Sequence, residues 1–187
     1  MKNGKKMLFG ISLFMLFWVM PSFAQEAKPL YLAHNVWFEK PSSVSAIGYK
    51  RGSIIPAGTK VENVHLASGR HSGVEFRIPE WDLDIKVVIG GHQKDKLTAV
   101  ELRDRMISDK PLDELLEGFT DQEIECVKKG YIAPGIRKEA ALMAYGYPPL
   151  HRTPSTKMPS WTYWTSRFVT RSVRFNEEGK AMNGIGN

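Results

Sequence analysis

The chain has 187 residues, 42% of them hydrophobic and 25% charged, and a formal net charge of +6. That apolar content excludes a disordered polar chain, and a lone cysteine, Cys126, excludes a fold stapled by an intramolecular disulfide. Charges of both signs mixed along the chain argue against a nucleic-acid-binding face, so no nucleic-acid partner is expected.

Residues 1–24 read as a secretory signal peptide. Lys2, Lys5 and Lys6 form a basic start, and Met7 to Met20 an apolar stretch. Ser22 and Ala24 are the small residues a signal peptidase reads. About fourteen apolar residues are too few to cross a hydrocarbon core of about 30 Å. Export is therefore predicted, with cleavage near Ala24, a periplasmic or secreted location, and no integral membrane span after cleavage. Gln25 follows the cleavage point instead of a cysteine, so no lipid anchor is expected. Loss of the three lysines lowers the formal charge from +6 to +3.

Residues 25–92 read as short strands separated by turns. Leu30-Tyr31-Leu32 and Val36-Trp37-Phe38 are aromatic and branched, and Pro41-Ser42-Ser43 breaks the run. Ser53-Ile54-Ile55 leads into Pro56-Ala57-Gly58-Thr59, a type II turn signal with Pro56 expected at its first corner. Val74, Phe76 and Ile78 alternate onto one strand face, and residues 85–89 supply a further strand before Gly90-Gly91. Spacing of this kind suggests a small barrel. Through residues 55–61 the region resembles bacterial SH3-like domains, which implies a small β-barrel over roughly residues 29–90 that binds peptides or peptidoglycan.

Residues 93–130 read as a helical connector. Thr98 with Glu101, and Thr120 with Glu123, have the spacing of capping boxes, in which each threonine caps a backbone N–H and each glutamate reaches back. Leu97 with Leu102, and Phe119 with Ile124, flank them as hydrophobic staples. Pro111 suits a first helical position, Gly118 a helix end, and Gly130 the end of a helix over residues 121–129.

Residues 131–187 hold a short helix between Gly135 and Gly146, a proline at 148, an aromatic strand Trp161-Thr162-Tyr163-Trp164, and a strand running through Phe175 into a turn at Gly179-Lys180. That order resembles the SmpA/OmlA (BamE-like) family of small envelope proteins associated with outer-membrane β-barrel assembly. The matching residues are Gly135, Gly146, Pro148, Trp161, Tyr163, Phe175, Gly179 and Lys180. The resemblance implies an α/β two-layer unit here, and an α+β chain overall. It departs at Arg137, where the family carries a serine or threonine helix cap, and in lacking a lipid-carrying cysteine.

No catalytic pattern emerges. Cys126 sits mid-helix without a histidine partner in reach of sequence, and there is no Gly-x-Ser-x-Gly or Ser-x-x-Lys. His34, His65, His71, His92 and His151 lack metal-ligand spacing, so neither metal nor cofactor is expected. Asp82 and Asp84 would share one face of a strand and read as a solvated pair.

The reading is a non-catalytic envelope protein that binds another envelope protein. Candidate contact residues are His151 and Arg152 in the proline-rich segment 148–160, and Trp161, Tyr163 and Trp164 beyond it. On a strand Trp161 and Tyr163 share one face and Trp164 takes the other. Alternatives are a peptidoglycan-binding module, an accessory to a cell-wall enzyme, or an inhibitor of a secreted enzyme.

Overall fold

A computed structural model describes residues 28–186, so the predicted signal peptide lies outside the described residues. The chain is α+β. Its strands are β1 (Leu30–Leu32), β2 (Val36–Phe38), β3 (Val44–Ser45), β4 (Ser53–Ile55), β5 (Lys60–Ala67), β6 (Gly73–Ile78), β7 (Leu83–Val88), β8 (Ile107–Ser108), β9 (Ser160–Trp164) and β10 (Thr170–Arg174). The α-helices are α1 (Ala99–Met106), α2 (Leu112–Leu115), α3 (Asp121–Lys129) and α4 (Lys138–Tyr145).

Six strands form one sheet in the order β3-β7-β6-β5-β1-β8, antiparallel except where β3 runs parallel to β7. The period of two in β6 turns Val74, Phe76 and Ile78 inward, with Val74 opposite Val87 and Phe76 opposite Ile85. Register shifts on β5 between Glu62 and His65, where Asn63 takes φ 52°, and such a bulge bends the strand and helps the sheet curl. α1 closes the concave side, burying Leu97, Leu102 and Met106 against the strands.

A second core gathers α3, α4 and the β9–β10 hairpin around Trp161, Tyr163, Tyr145 and Cys126. The two-stranded β2–β4 ribbon stands between the cores. Val36 pairs with Ile55 and faces the first core, while Trp37 pairs with Ile54 and faces the second. One alternating ribbon thus serves both cores.

The division expected from sequence shifts accordingly. α1 and β8 complete the first sheet and its core, and Leu112, Leu115, Leu116 and Phe119 pack on the second core together with α3. The segment 93–130 is therefore shared between two cores, because its helices carry apolar faces that each need a partner surface. Trp37 and Ala57, from the β-rich half, are buried in the C-terminal core.

Both capping boxes form, with Thr98 Oγ1 accepting from Glu101 N at 3.1 Å and Thr120 Oγ1 accepting from Glu123 N at 3.3 Å. Two local expectations are corrected. Thr59 N donates to Pro56 O at 3.2 Å, which places Pro56 at the opening of the turn, Ala57 at its first corner and Gly58 at the φ of 79°. Pro111 is the residue before α2 rather than its first helical residue.

Asn35 ties the cores together. It is 1% exposed, and its Nδ2 donates to Val127 O at 2.6 Å and Ala144 O at 2.9 Å, carbonyls in the last turns of α3 and α4. Its Oδ1 accepts from Ala57 N at 2.7 Å. Helix ends leave such carbonyls without intrahelical partners, and one amide serves two of them.

Candidate functional site

The start of α4 is held by an ion pair instead of by a side-chain cap. Arg137 occupies the cap position and its side chain caps nothing. Instead Glu123 of α3 accepts from Arg137 N and Arg137 Nε at 2.9 and 2.8 Å through Oε1, and from a terminal guanidinium nitrogen at 2.7 Å through Oε2. The same carboxylate closes the Thr120 capping box. Its buried charge is thereby paired, and the Arg137 guanidinium, against the opposing effect of burial, lowers Glu123 to about 2.

This anchor positions α4, and behind it the β9–β10 hairpin. Trp161 and Tyr163 are both fully buried, so two of the expected contact residues lie in the core instead of on the surface. Tyr163 Oη donates to Gly146 O at 3.0 Å, and Trp161 packs on Phe175 with ring centres 4.5 Å apart. Alternation assigns them inward and leaves Trp164 half-buried on the outer face.

The other three expected residues come together. Trp164 Nε1 donates to His151 Nε2 at 3.2 Å, and the Arg152 guanidinium lies 5.2 Å from the Trp164 ring. His92 reaches the cluster from the first half, its ring centre 5.2 Å from that of His151. Because His151 Nε2 accepts, its proton is on Nδ1, a buried donor without a partner among the described residues. Burial, then the charges of His92, Arg152 and Lys96, lowers the His151 pKa.

The segment 148–160 is fastened along its length. Leu150 N donates to Gln93 Oε1 at 2.9 Å, the buried Thr153 accepts from Thr162 N at 3.0 Å, and Lys138 Nζ donates to Lys157 O and Met158 O. It is a structured brace between the halves.

Two features of this end escaped the reading of the sequence. From Ala140 to Asn176 the chain contains no aspartate or glutamate but carries Arg152, Lys157, Arg167, Arg171 and Arg174, all exposed. None of the five has a carboxylate within ion-pair distance among the described residues. The formal charge of the whole chain averages this asymmetry away; counting charge in windows would have found it. At the hairpin tip Phe168 is 84% exposed and Val169 45%, which strand periodicity could not assign.

The remaining candidates fall to structural roles. Cys126 is fully buried in the second core. Asp82 and Asp84 both pair with Arg77 across β6 and β7, Asp82 from a turn residue with φ 49° rather than from the strand. No group of three or more His, Cys, Asp or Glu side chains among the described residues could hold a metal ion. No helix among them is long and apolar enough to cross a membrane. No protein-family model, curated protein or solved structure matches the chain.

Proposed function

We propose that this chain is an exported, non-catalytic envelope protein that docks an acidic surface of another envelope protein through the tip and outer face of its C-terminal hairpin. The observation that carries this reading is Phe168, 84% exposed at the tip of a hairpin within a segment, residues 140–176, that carries basic residues and no aspartate or glutamate. Aromatic and arginine side chains together are the types that dominate protein interfaces, and a surface of one charge sign selects a complementary partner and speeds encounter.

Export rests on the signal-peptide reading of residues 1–24. The SmpA/OmlA-like reading is supported by the sequence order of Gly135, α4, Gly146, β9 and β10, and it suggests a role in outer-membrane assembly or maintenance. The SH3-like reading of residues 29–90 is supported by the curled sheet and the turn at Gly58, and peptidoglycan is the partner it suggests for that half. The test is affinity capture from envelope extracts. A partner held by the native chain should be lost with Phe168→Ser combined with Arg152→Glu, while the thermal midpoint stays unchanged. Retention of the same partner by that variant would refute docking through the hairpin.

A further inference from the structure

Between the two cores lies a cavity of about 60 Å³, walled by apolar side chains of the first core together with His34, Lys50, Arg105 and Tyr147. By the space one water occupies, it has room for about five non-hydrogen atoms. The backbone of Lys50 is fixed where its N donates to Trp164 O at 3.0 Å. Its Nζ stands 4.4 Å from the Trp37 ring centre, 5.1 Å from that of Tyr145 and 5.6 Å from that of Tyr163. Among the described residues no hydrogen bond or ion pair holds this amine.

Gly146 keeps the space beside it open. A Cβ at Gly146 would lie 3.2 Å from Lys50 Nζ and 3.3 Å from His34 Nδ1, and its φ of +74° is one that a side chain disfavours. His34 Nδ1 donates to Asn35 O at 2.9 Å. Burial, helped by the charge of Lys50 and opposed by that hydrogen bond, lowers His34 to about 4, so its ring is neutral at pH 7. Arg105 stands 5.1 Å from the Tyr147 ring, which meets the His34 ring edge-on at 5.7 Å, and it too has no ion pair among the described residues. No carboxylate lines the cavity, and the nearest cleft shares His34, Arg105 and Tyr147 with Glu139. Two cations without an ion pair among the described residues thus line one half-apolar space, with Glu101 acting on Arg105 from one helical turn away.

We propose that this cavity binds a small monocarboxylate with a short apolar tail, its carboxylate held by Lys50 with Arg105 as the second cation, and its tail against Val36, Val44 and Leu102. Burial lowers the Lys50 ammonium to about 7, so an anion that binds beside it restores the proton. The titratable and charged groups facing Lys50 are His34, Arg105, Tyr145, Tyr147 and Tyr163, with Arg171 beyond Tyr145. Burial raises Tyr145 to about 12 and Tyr163 well above its ordinary value, so both stay neutral through the range in which Lys50 titrates.

The test is calorimetric titration of the full mature chain with sodium propionate, against acetate and hexanoate. Propionate should bind one per chain and more tightly than either. Its affinity should fall by up to about tenfold per pH unit above about 7, with proton uptake visible as a dependence of the heat on the buffer. Lys50→Met, which keeps the length of the side chain, should lose at least about tenfold in affinity, and Arg105→Gln about threefold. Absence of binding at millimolar propionate would overturn the proposal, as would equal affinity in Lys50→Met or an affinity independent of pH in the native chain. The native pH profile and Arg105→Gln decide the matter should Lys50→Met fail to fold.

Discussion

Single side chains in this protein hold charges at places where their ionisation is linked to folding. Glu123 is 2% exposed and lowered to about 2 from an ordinary 4.5 by Arg137. Its stabilisation is therefore complete above about 4.5 and is lost as pH falls towards about 2. A shift of that size corresponds to about 3 kcal/mol, and Glu123→Gln should lose about that much and flatten the acid limb of a urea-unfolding series. At Lys50 folding disfavours the charged form instead of favouring it. Its ammonium is destabilised in the folded chain, so stability should rise as pH climbs from about 7 towards 10.5, and Lys50→Met should remove that rise and raise the thermal midpoint at pH 6. Asn35→Ala strands two helix-end carbonyls and the Ala57 N–H, and should cost roughly 3 kcal/mol in the same unfolding assay.

The helices and strands show what a sequence displays locally and what it does not. Capping boxes were legible because the threonine and glutamate lie three residues apart and satisfy each other within one turn. Thr98→Ala should cost about 1 kcal/mol, measured by chemical denaturation. Period two in β6 was legible for the same reason, as was the shared face of Trp161 and Tyr163, but alternation alone did not say that this face is the buried one. Long-range requirements were not. Nothing near Arg137 announces that Glu123, fourteen residues earlier, supplies the anchor for α4, and nothing near Asn35 announces carbonyls at Val127 and Ala144. The β2–β4 ribbon reads as two short strands, and only the tertiary fold reveals that its two faces serve different cores. At the candidate site, His151, Arg152 and Trp164 were singled out by residue type, while their contact with one another depends on the tertiary fold and the exposure of Phe168 on where a hairpin turns.

For the whole molecule, two cores joined by the β2–β4 ribbon, Asn35 and the brace 148–160 form a frame into which the β9–β10 hairpin packs with its tip exposed. Fastening of this kind fixes the orientation of the hairpin tip before any partner arrives, which lowers the ordering cost of docking. The basic segment 140–176, without aspartate or glutamate, fits an acidic partner and predicts weaker capture at high salt, measurable by repeating the affinity capture at about 0.5 M ionic strength. The cavity at Lys50 lies between the cores and is separable from this surface by mutation, since Lys50→Met leaves the hairpin tip untouched. The most direct test of docking through the hairpin is photo-crosslinking in the native envelope, with the reactive group placed at position 168 or, as a control, at the exposed Leu66 of the first sheet. A discrete crosslinked envelope protein from position 168 and none from position 66 is the predicted result. The same product from both positions, or a product from position 66 alone, would contradict docking through the hairpin.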